Sequence, residues 1–446
     1  MADNARHCAV EALIRLHREN SYSNILWEER LAQAGLPPMD QALATRLFYG
    51  VIERRLTLDY LLSRCCSMKL KRLHPYVLDI LRVGAYQLLY MEKIPAAAAV
   101  NEAVKLTRRL GQHKAAGLVN GVLRAVDRDA ARVLSALPDT PEGWEIRYSC
   151  PRALLEEWTD GYSAERAKDL AQHMNDIPPH FVRVNTLVTT TEKLCEQLDK
   201  SGVSYKALPS LPDCLEIPEI SLLKRLETLP KNWYYHQDMA SQWCCLALGA
   251  QPGERIADVC AAPGGKSLTA AQYMQNDGQV YACDAYSAKC EAMERRAREL
   301  GAAVIQVRTR DASHPCAPDE RAVFDRVLCD VPCSGLGVIR RKPEIRYKDP
   351  REWDALPDLQ YRILEESAAM VKPGGVLQYS TCTLRPQENE RVAERFAGAH
   401  PEFVPRPLPL KECFLRAGRD PAFTITLFPS EQGTDGFFIA SFVKLR

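Results

Sequence analysis

Two cysteines in the C-terminal half of the chain stand just past apolar, strand-like runs. Cys333 follows "FDRVLCDVP", and Cys382 stands between two threonines in "GGVLQYSTCTL". A thiolate is a strong nucleophile, although most cysteines in proteins are buried and inert. One such cysteine alone would be read as structural, but two at strand ends favour covalent catalysis.

A glycine-rich loop precedes both cysteines in "DVCAAPGGKS", which runs from Asp258 to Ser267. The loop differs from a P-loop, because Cys260 stands where that motif requires its first glycine. Gly264 and Gly265 still let the backbone approach a ligand closely, and the helix that follows presents its N-terminal amides. The sequence therefore predicts a cofactor-binding loop.

Aspartates at the ends of the next strands extend the predicted cofactor site. Asp284 comes 26 residues after Asp258, where a carboxylate can hydrogen-bond both hydroxyls of a ribose. Asp311 ends the following strand and would lie near an adenine ring, or would simply cap a helix. These residues suit S-adenosylmethionine, NAD or ATP, so the chemistry of the cysteines has to discriminate among them.

The elements that must position these residues alternate between strand and helix from about residue 236, which indicates a parallel, doubly wound sheet. Ligands of such sheets bind beyond the carboxyl ends of the strands. The expected strand ends are Asp258, Asp284, Asp311, Asp330 and a position near Tyr379. The last residues, "AFTITLFPSEQGTDGFFIASFVKL", predict an antiparallel hairpin at the sheet edge.

Two further regions precede the catalytic region, which we assign to residues 236–446. Residues 1–139 repeat apolar side chains at helical spacing, with Pro38, Pro75 and Pro95 placed like helix starts, and predict an all-α domain. A linker-like stretch, "SALPDTPEGW" at 135–144, leads into residues 140–235, which predict a linker and a small α+β subdomain. That subdomain is either an RNA-recognition-like platform or a brace.

Composition restricts the class of protein and its partners. The 446 residues contain no 18-residue apolar run, and the first twenty lack the apolar core of a signal peptide, so we expect a cytoplasmic protein that does not enter a membrane. The sixteen cysteines lack disulfide or zinc spacing, which predicts free thiols and no metal. Residues 1–130 hold 19 Lys and Arg against 13 Asp and Glu, which suits a polyanion or a solvated basic face.

The motifs taken together resemble those of the RsmB/NOP family of RNA cytosine-5 methyltransferases. "CAAPGGKS", "DVPCSGLG" and "STCT" carry the resemblance, and the helical N-terminal region is similar to a NusB-like RNA-binding domain. The resemblance covers nearly the whole chain. It implies a multidomain fold with an all-α NusB-like domain, a small α+β (RRM-like) subdomain and a C-terminal α/β Rossmann-like methyltransferase domain.

The resemblance also implies roles for the residues of the two cysteine motifs. Cys382 would be the nucleophile that adds to C6 of cytosine, and Cys333 would assist proton removal or product release. DNA cytosine-5 methyltransferases use the cysteine of the Pro-Cys motif instead, which would select Cys333. Asp330 would stabilise the base at N3 and the exocyclic amine, while Lys266 would hold a nearby carboxylate or remain a solvated lysine.

The binding residues and partners follow from the same resemblance and from the charge pattern. RNA phosphates would be contacted by Arg340, Arg341 and Lys342 after the catalytic loop and by Lys105, Arg108 and Arg109 in the helical region. The cofactor, S-adenosylmethionine, would be bound by Cys260, Ala261, Ala262, Pro263, Gly264, Gly265, Lys266, Asp284, Asp311 and Asp330.

The resulting hypothesis is an S-adenosylmethionine-dependent enzyme that forms 5-methylcytosine in 16S rRNA at a site of the cytosine 967 type. Its substrate would be small-subunit rRNA, free or partly assembled, and the enzyme is expected to be a monomer. One alternative keeps the chemistry and changes the target to another rRNA or tRNA site. A second alternative is a non-catalytic NusB-like RNA-binding or assembly factor.

Overall fold

The computed structural model describes residues 4–19, 23–410 and 422–446. The chain forms two compact units, and each of them contains two separate stretches of the sequence. The helical unit comprises residues 1–176 together with 339–348, and the sheet unit comprises residues 177–338 and 349–446. A segment from the middle of the catalytic region therefore folds with the N-terminal helices.

In the described residues the helical unit contains ten α-helices, and the first seven of them share one buried apolar cluster. Prolines begin α3 and α5 and precede α6, as predicted, because a helix start needs no amide donor at that position. Helix α8 begins inside the stretch that we read as a linker, so that part of the prediction was wrong. The helices are α1 (Ala5–Glu19), α2 (Ser23–Ala34), α3 (Pro38–Glu53), α4 (Arg55–Cys65), α5 (Pro75–Tyr90), α6 (Ala96–Arg109), α7 (Ala116–Ser135), α8 (Pro141–Tyr148), α9 (Arg152–Gly161) and α10 (Ala164–His173).

The segment 339–348 is held in the helical unit by a buried arginine. Arg346 is 1% exposed and donates from Nη1 to the carbonyl of Glu53 at 2.9 Å and to Oδ1 of Asn175 at 2.9 Å. Tyr347 donates to the carbonyl of Ile52 at 2.8 Å. These bonds fix the segment against residues that lie 171 to 295 positions away in sequence.

The sheet unit begins with a small antiparallel sheet in the order β2-β3-β1-β4. Buried Arg183 of β1 donates to Gln272 at 2.6 Å and to Gln242 at 3.3 Å, which ties the small sheet to the helices of the large one. Thr190 caps the following helix by accepting from the Lys193 amide. The elements are β1 (Phe181–Val184), α11 (Thr191–Lys200), β2 (Lys206–Leu208), β3 (Leu211–Glu216), α12 (Ile220–Arg225) and β4 (Tyr234–His236).

The large sheet has eight strands and follows the order β10-β12-β9-β8-β5-β6-β7, with β11 paired to β12. Strands β5 to β9 are parallel, and β12 runs antiparallel beside β9. The predicted C-terminal hairpin is β11–β12, but β12 lies inside the sheet. The elements are α13 (Met239–Leu248), β5 (Arg255–Asp258), α14 (Gly265–Tyr273), β6 (Gln279–Asp284), α15 (Ser287–Glu299), β7 (Ile305–Thr309), β8 (Phe324–Asp330), α16 (Leu356–Ala368), β9 (Val371–Thr381), α17 (Glu390–Ala399), β10 (Phe403–Pro405), β11 (Thr424–Leu427), α18 (Pro429–Gln432) and β12 (Phe437–Lys444).

Strands β5, β6, β8 and β9 are buried along most of their length because both faces of the sheet are covered, whereas the edge strand β7 is partly exposed. Phe324, Leu377 and Phe438 belong to one buried cluster, and Trp243, Ile256 and Ile439 to another. Within the described ranges, no helix has the length and hydropathy needed to cross a membrane.

Candidate active site at the carboxyl edge of the sheet

The two predicted cysteines face each other beyond the ends of neighbouring strands. The Sγ atoms of Cys333, after β8, and Cys382, after β9, are 3.3 Å apart, and both side chains are half-buried. The hydrogen bond with Cys382, together with burial, raises the pKa of Cys333 well above its ordinary value. Cys333 therefore retains its proton in this arrangement.

A buried glutamate that the sequence analysis did not select holds the Cys333 loop. Glu388 is fully buried, and its Oε2 accepts from the Ser334 amide at 2.9 Å and from Gln360 at 2.8 Å. Gln360 also donates to the carbonyl of Pro332 at 2.9 Å. Glu388 lies five residues after the STCT motif, within "LRPQENE", and its nearness to that motif was the available signal.

Backbone hydrogen bonds connect the two cysteine loops to each other. The Gly337 amide donates to the carbonyl of Cys382 at 3.0 Å, and the Gly436 amide donates to the carbonyl of Gly337 at 2.8 Å. A Cβ on Gly337 would lie 1.9 Å from the Gly436 carbonyl oxygen, so only glycine fits there. The glycine of "CSGLG" thus allows the two loops to pack in contact.

The glycine loop follows β5 and leads directly into α14. Gly264 has φ 95°, a conformation that favours glycine, and its carbonyl begins the helix by accepting from Leu268. A Cβ on Gly265 would meet no atom closer than 3.6 Å, which leaves the backbone open to a ligand. The buried Ala261 amide donates to the carbonyl of Cys283 at 2.7 Å, so the loop is anchored to β6. Cys260 and Ala262 are half-buried, and Pro263 is exposed.

Three charged side chains meet where β5 and β8 end. Lys266 donates to Asp330 Oδ2 at 2.5 Å, and Ser380 donates to Asp330 Oδ1 at 2.9 Å. Burial alone would lower the pKa of Lys266, but the charge of Asp330 raises it above its ordinary value. Burial raises the pKa of Asp258 to about 7, and Asp330 contributes to that increase.

Asp258 is the second residue that the sequence analysis did not assign to the site. Its Oδ2 accepts from Ser267 at 2.6 Å, while its Oδ1 is buried and has no hydrogen-bond partner among the described residues. A buried carboxylate oxygen without a donor is suited to a cationic or hydrogen-bonding ligand. Its position at the end of β5 was the available signal.

The other two strand-end aspartates differ in burial. Asp284 is 8% exposed, accepts from the Tyr286 amide at 3.1 Å and lies 3.6 Å from Lys289. Asp311 is exposed and accepts from both the amide and the hydroxyl of Ser313, at 2.9 and 2.7 Å. Asp311 therefore stabilises its own turn, and Asp284 is placed at the buried end of β6.

The predicted RNA-contacting residues belong to the helical unit. Arg340, Arg341 and Lys342 are half-buried in the segment 339–348. Lys105, Arg108 and Arg109 are exposed in the last turns of α6, and Lys105 pairs with Glu102 at 2.8 Å.

Cys244 and Cys245, for which the sequence suggested no role, are buried on α13. Gln378 donates to the Cys244 sulfur at 3.2 Å, and burial raises the pKa of Cys245 to about 11. Every described cysteine is free, and the described residues contain no group of three or more potential metal ligands.

A doubly wound sheet with an antiparallel last strand, combined with a glycine loop after β5, is typical of one class of protein. The chain is an S-adenosylmethionine-dependent methyltransferase. Residues 245–443 match the family described as 16S rRNA methyltransferase RsmB/F, residues 3–128 the NusB family, and residues 150–220 the ferredoxin-like domain of RsmF/B-like methyltransferases.

Full-length relatives identify the family. The probable ribosomal RNA small subunit methyltransferase B of Bacillus subtilis is 36% identical over 99% of both chains. The ribosomal RNA small subunit methyltransferase B of Erwinia tasmaniensis is 30% identical, again over 99% of both. The chain therefore belongs to the ribosomal RNA small subunit methyltransferase B family, whose cofactor is S-adenosylmethionine and whose substrate is RNA.

Solved structures agree with this assignment. The crystal structure of PH0851 has a TM-score of 0.80 at 25% identity and covers 99% of this chain and 98% of that one. A methyltransferase homolog protein from Pyrococcus horikoshii has a TM-score of 0.59 at 29% identity, over 69% of this chain and 100% of that one. The predicted multidomain fold is thus confirmed.

Proposed function

We propose that this enzyme forms 5-methylcytosine in small-subunit rRNA, at a position of the cytosine 967 type, through a covalent bond between Cys382 and C6 of the base. The observation that supports this proposal most directly is the 3.3 Å contact between the Cys333 and Cys382 sulfur atoms at the carboxyl edge of the sheet. Carbon C5 of cytosine is a weak nucleophile, so a thiolate must first add to the ring.

The first step uses Cys382. Its thiolate forms a bond to C6, the C5=C6 π electrons shift into the ring, and N3 takes up a proton. When bound, S-adenosylmethionine supplies the methyl group that C5 takes up. After methylation the proton on C5 must leave, and the electrons of that C–H bond restore the C5=C6 double bond as the bond from C6 to Cys382 breaks and releases the thiolate. N3 gives up the proton that it took up in the first step, which leaves neutral 5-methylcytosine.

The contact between the two sulfur atoms gives Cys333 its role in the second step. While Cys382 is a thiolate, its charge raises the pKa of Cys333 and keeps that group protonated. Bond formation to C6 removes the charge, so Cys333 can lose its proton to solvent and then accept the proton from C5. This order makes Cys382 the nucleophile and Cys333 the base.

Asp330 orients the base in this proposal. Its carboxylate accepts hydrogen bonds from N3–H and from the exocyclic amine of the base. The hydrogen bond from Lys266 holds the Asp330 carboxylate in place. That hydrogen bonding stabilises the adduct formed when the thiolate adds to the ring.

The cofactor residues follow from the geometry of the loop and the strand ends. The open backbone at Gly265 and the unpartnered oxygen of Asp258 suit the methionine part, whose amino group is cationic. Buried Asp284 suits the ribose hydroxyls, and Asp311 the adenine side. The remaining loop contacts are assigned to Cys260, Ala261, Ala262, Pro263, Gly264, Lys266 and Asp330.

The target cytosine must leave any base stack to reach Cys382, so an unpaired or easily unstacked position is expected. Arg340, Arg341 and Lys342, together with Lys105, Arg108 and Arg109, are proposed to contact the RNA backbone. We also propose that the enzyme acts as a monomer, without a metal, in the cytoplasm.

Transfer of a tritiated methyl group to unmodified small-subunit rRNA tests the proposed reaction. Nuclease digestion should place the label in 5-methylcytidine at one position, which sequencing identifies. Label in tRNA or at another rRNA position would replace the proposed site, and no transfer at saturating cofactor would leave an RNA-binding assembly factor as the better reading.

Cysteine variants test the assignment of the two thiols. Cys382→Ala should abolish both methylation and adduct formation, because no thiolate reaches C6. Cys333→Ala should accumulate a denaturant-stable protein–RNA adduct, because proton removal from C5 fails. Adduct formation by Cys382→Ala but not by Cys333→Ala would exchange the two roles. Cys329→Ala, which removes a buried strand thiol, is the matched control.

A further inference from the structure

A groove crosses the helical unit between the turn that precedes α5 and the turn that joins α6 to α7. Its volume is about 530 Å³, and its floor is apolar, formed by Leu73, Val77 and Leu118. Arg72, His74 and other exposed polar residues form its rim. An apolar floor with a polar rim is typical of a binding site.

The groove lining carries one sign of charge, because it contains Arg72 and Lys114 and no Asp or Glu. The stretches of sequence around the lining, residues 66–78 and 103–126, contain eight Lys and Arg and no Asp or Glu. Within the part of the chain that the structure describes, Lys71, Arg72 and Lys114 are exposed and make no ion pair. The positive charge of the groove is therefore uncompensated by the protein.

Several other cations of the helical unit are neutralised by neighbouring carboxylates. Arg128 and Arg132 both pair with Asp129, at 2.7 and 3.4 Å. Buried Arg82 pairs with Asp59 at 2.7 Å and with Asp79 at 2.8 Å. The contrast distinguishes the groove from an ordinary solvated basic surface, where opposite charges are interspersed.

The groove also presents flat and polarisable side chains on which a nucleobase can stack. His74 and Tyr76 are stacked, with ring centroids 5.7 Å apart and planes 10° apart, and Met68 is 44% exposed at the rim. Phosphate-binding cations beside a stacking surface suit a single strand, whose bases are free to turn inward. A duplex keeps its bases stacked and offers no base to a concave site.

We propose that this groove binds an unpaired segment of the rRNA substrate, with Arg72 and Lys114 on phosphates and His74 beneath a base. The inference rests on the proposed rRNA substrate and adds a second contact area, distant in sequence from the cysteine loops. Its effect is to hold the RNA rather than to take part in bond formation.

The test compares Arg72→Ala/Lys114→Ala with Arg128→Ala/Arg132→Ala, which removes the same charge from a neutralised surface. The groove variant should raise the KM for unmodified small-subunit rRNA about tenfold and leave kcat at saturating RNA unchanged. Its salt dependence should be shallower by about 1.4 in the slope of log affinity against log salt, because two single-strand phosphate contacts are lost. The control variant should match the unsubstituted protein in both measurements.

A binding measurement separates this inference from the proposed methylation. A fluorescent oligouridylate of about ten nucleotides should bind the unsubstituted protein more tightly than a duplex of equal length, and His74→Ala should weaken that binding. These results need no methyl transfer, so they stand even if the proposed reaction fails. Equal losses in the groove and control variants, or equal binding of duplex and single strand, would overturn the inference.

Discussion

At the scale of single residues, the surroundings of each thiol decide what it can do. Cys244, Cys329 and Cys283 are buried within helices or strands, and burial raises the pKa of all three thiols, so they remain protonated and inert. Cys333 and Cys382 lie past the strand ends, are half-buried, and have their sulfur atoms 3.3 Å apart. Among the cysteines that the structure describes, this pair combines partial exposure with a contact between two thiols that raises the pKa of one of them.

Asp258 predicts a pH dependence of stability. Its pKa is about 7 in the folded protein against an ordinary value of 3.8. As pH rises from about 4 to about 7, the unfolded chain releases this proton and the folded chain retains it, so the free energy of unfolding contributed by Asp258 decreases. Asp258→Asn should therefore gain stability relative to the unsubstituted protein over this pH range, measured by denaturant unfolding at several pH values. Parallel curves for the two proteins would contradict the prediction.

The ion pair between Lys266 and Asp330 predicts that its removal lowers both stability and activity. Lys266→Met removes the positive partner of a largely buried carboxylate and should cost about 3 kcal/mol, the usual cost of breaking such a pair. It should also lower kcat for RNA methylation, because Asp330 loses the bond that orients it. Lys206→Met is the control, since Lys206 is 72% exposed and lies 3.8 Å from Glu216. Equal unfolding free energies for the two variants would show that the Lys266 pair is not stabilising.

At the scale of elements, the loop after β8 is restrained from both sides. Before Val338, the Ser334 amide donates to Glu388 and the Gly337 amide donates to Cys382, both in the loop after β9. After Val338, Arg346 donates to the carbonyl of Glu53 in the helical unit. Packing of both loop ends limits the motion of Cys333, which must keep its distance from Cys382. Precise placement of this kind is what catalysis requires.

Arg346→Met tests the second restraint. The variant leaves several buried carbonyl groups without a donor and should reduce the free energy of unfolding by at least about 3 kcal/mol, because each bond to a charged group contributes about 1.5 to 3 kcal/mol. Arg351→Met is the control, since Arg351 is 86% exposed and pairs with Asp349. Its change should stay within about 0.5 kcal/mol. Thermal and denaturant unfolding compare the two, and similar values for both would contradict the assigned role.

At the scale of the whole molecule, the helical unit is a folding partner of the catalytic sequence. The chain passes between the two units at residues 176, 338 and 348, and the last two crossings bracket the segment 339–348. Tyr347 of this segment packs against the helical core and donates to Ile52. If the N-terminal region were only an appended RNA-binding module, the chain would pass between the two units once.

Deletion of residues 1–130 should therefore do more than weaken RNA binding. The truncated protein loses the acceptor of Tyr347 and the Glu53 acceptor of Arg346, and it exposes the apolar surface that Tyr347 packs against the helical core, so it should aggregate or unfold at a lower temperature. Replacing the segment with a Gly/Ser linker in the same truncated protein should restore a monodisperse species in size-exclusion chromatography. A truncated protein that melts cooperatively at the temperature of the full chain would disprove this coupling.

The sequence predicted much of the fold because its signals are local. Helical periodicity gave the N-terminal helices, and proline placement gave the starts of α3, α5 and α6. The alternation of apolar and polar residues predicted the β11–β12 pair. It did not predict that β12 lies beside β9, because the order of strands is set by packing across the whole sheet. Trp144, within the stretch predicted to be a linker, is buried, because α8 begins at Pro141 and packs against α4 and α9.

By itself, the sequence determined the residue types at the candidate site: two cysteines after strands, a glycine loop and four strand-end aspartates. These residue types could be predicted because the chemistry of each motif requires particular residues at particular spacings. Only the tertiary structure decided that the two sulfur atoms meet at 3.3 Å, that Glu388 is buried beneath the Cys333 loop and that residues 339–348 fold with the helices. The physical reason is that these contacts join residues between 49 and more than 290 positions apart, and their energy comes from burial and hydrogen bonding that no local pattern records.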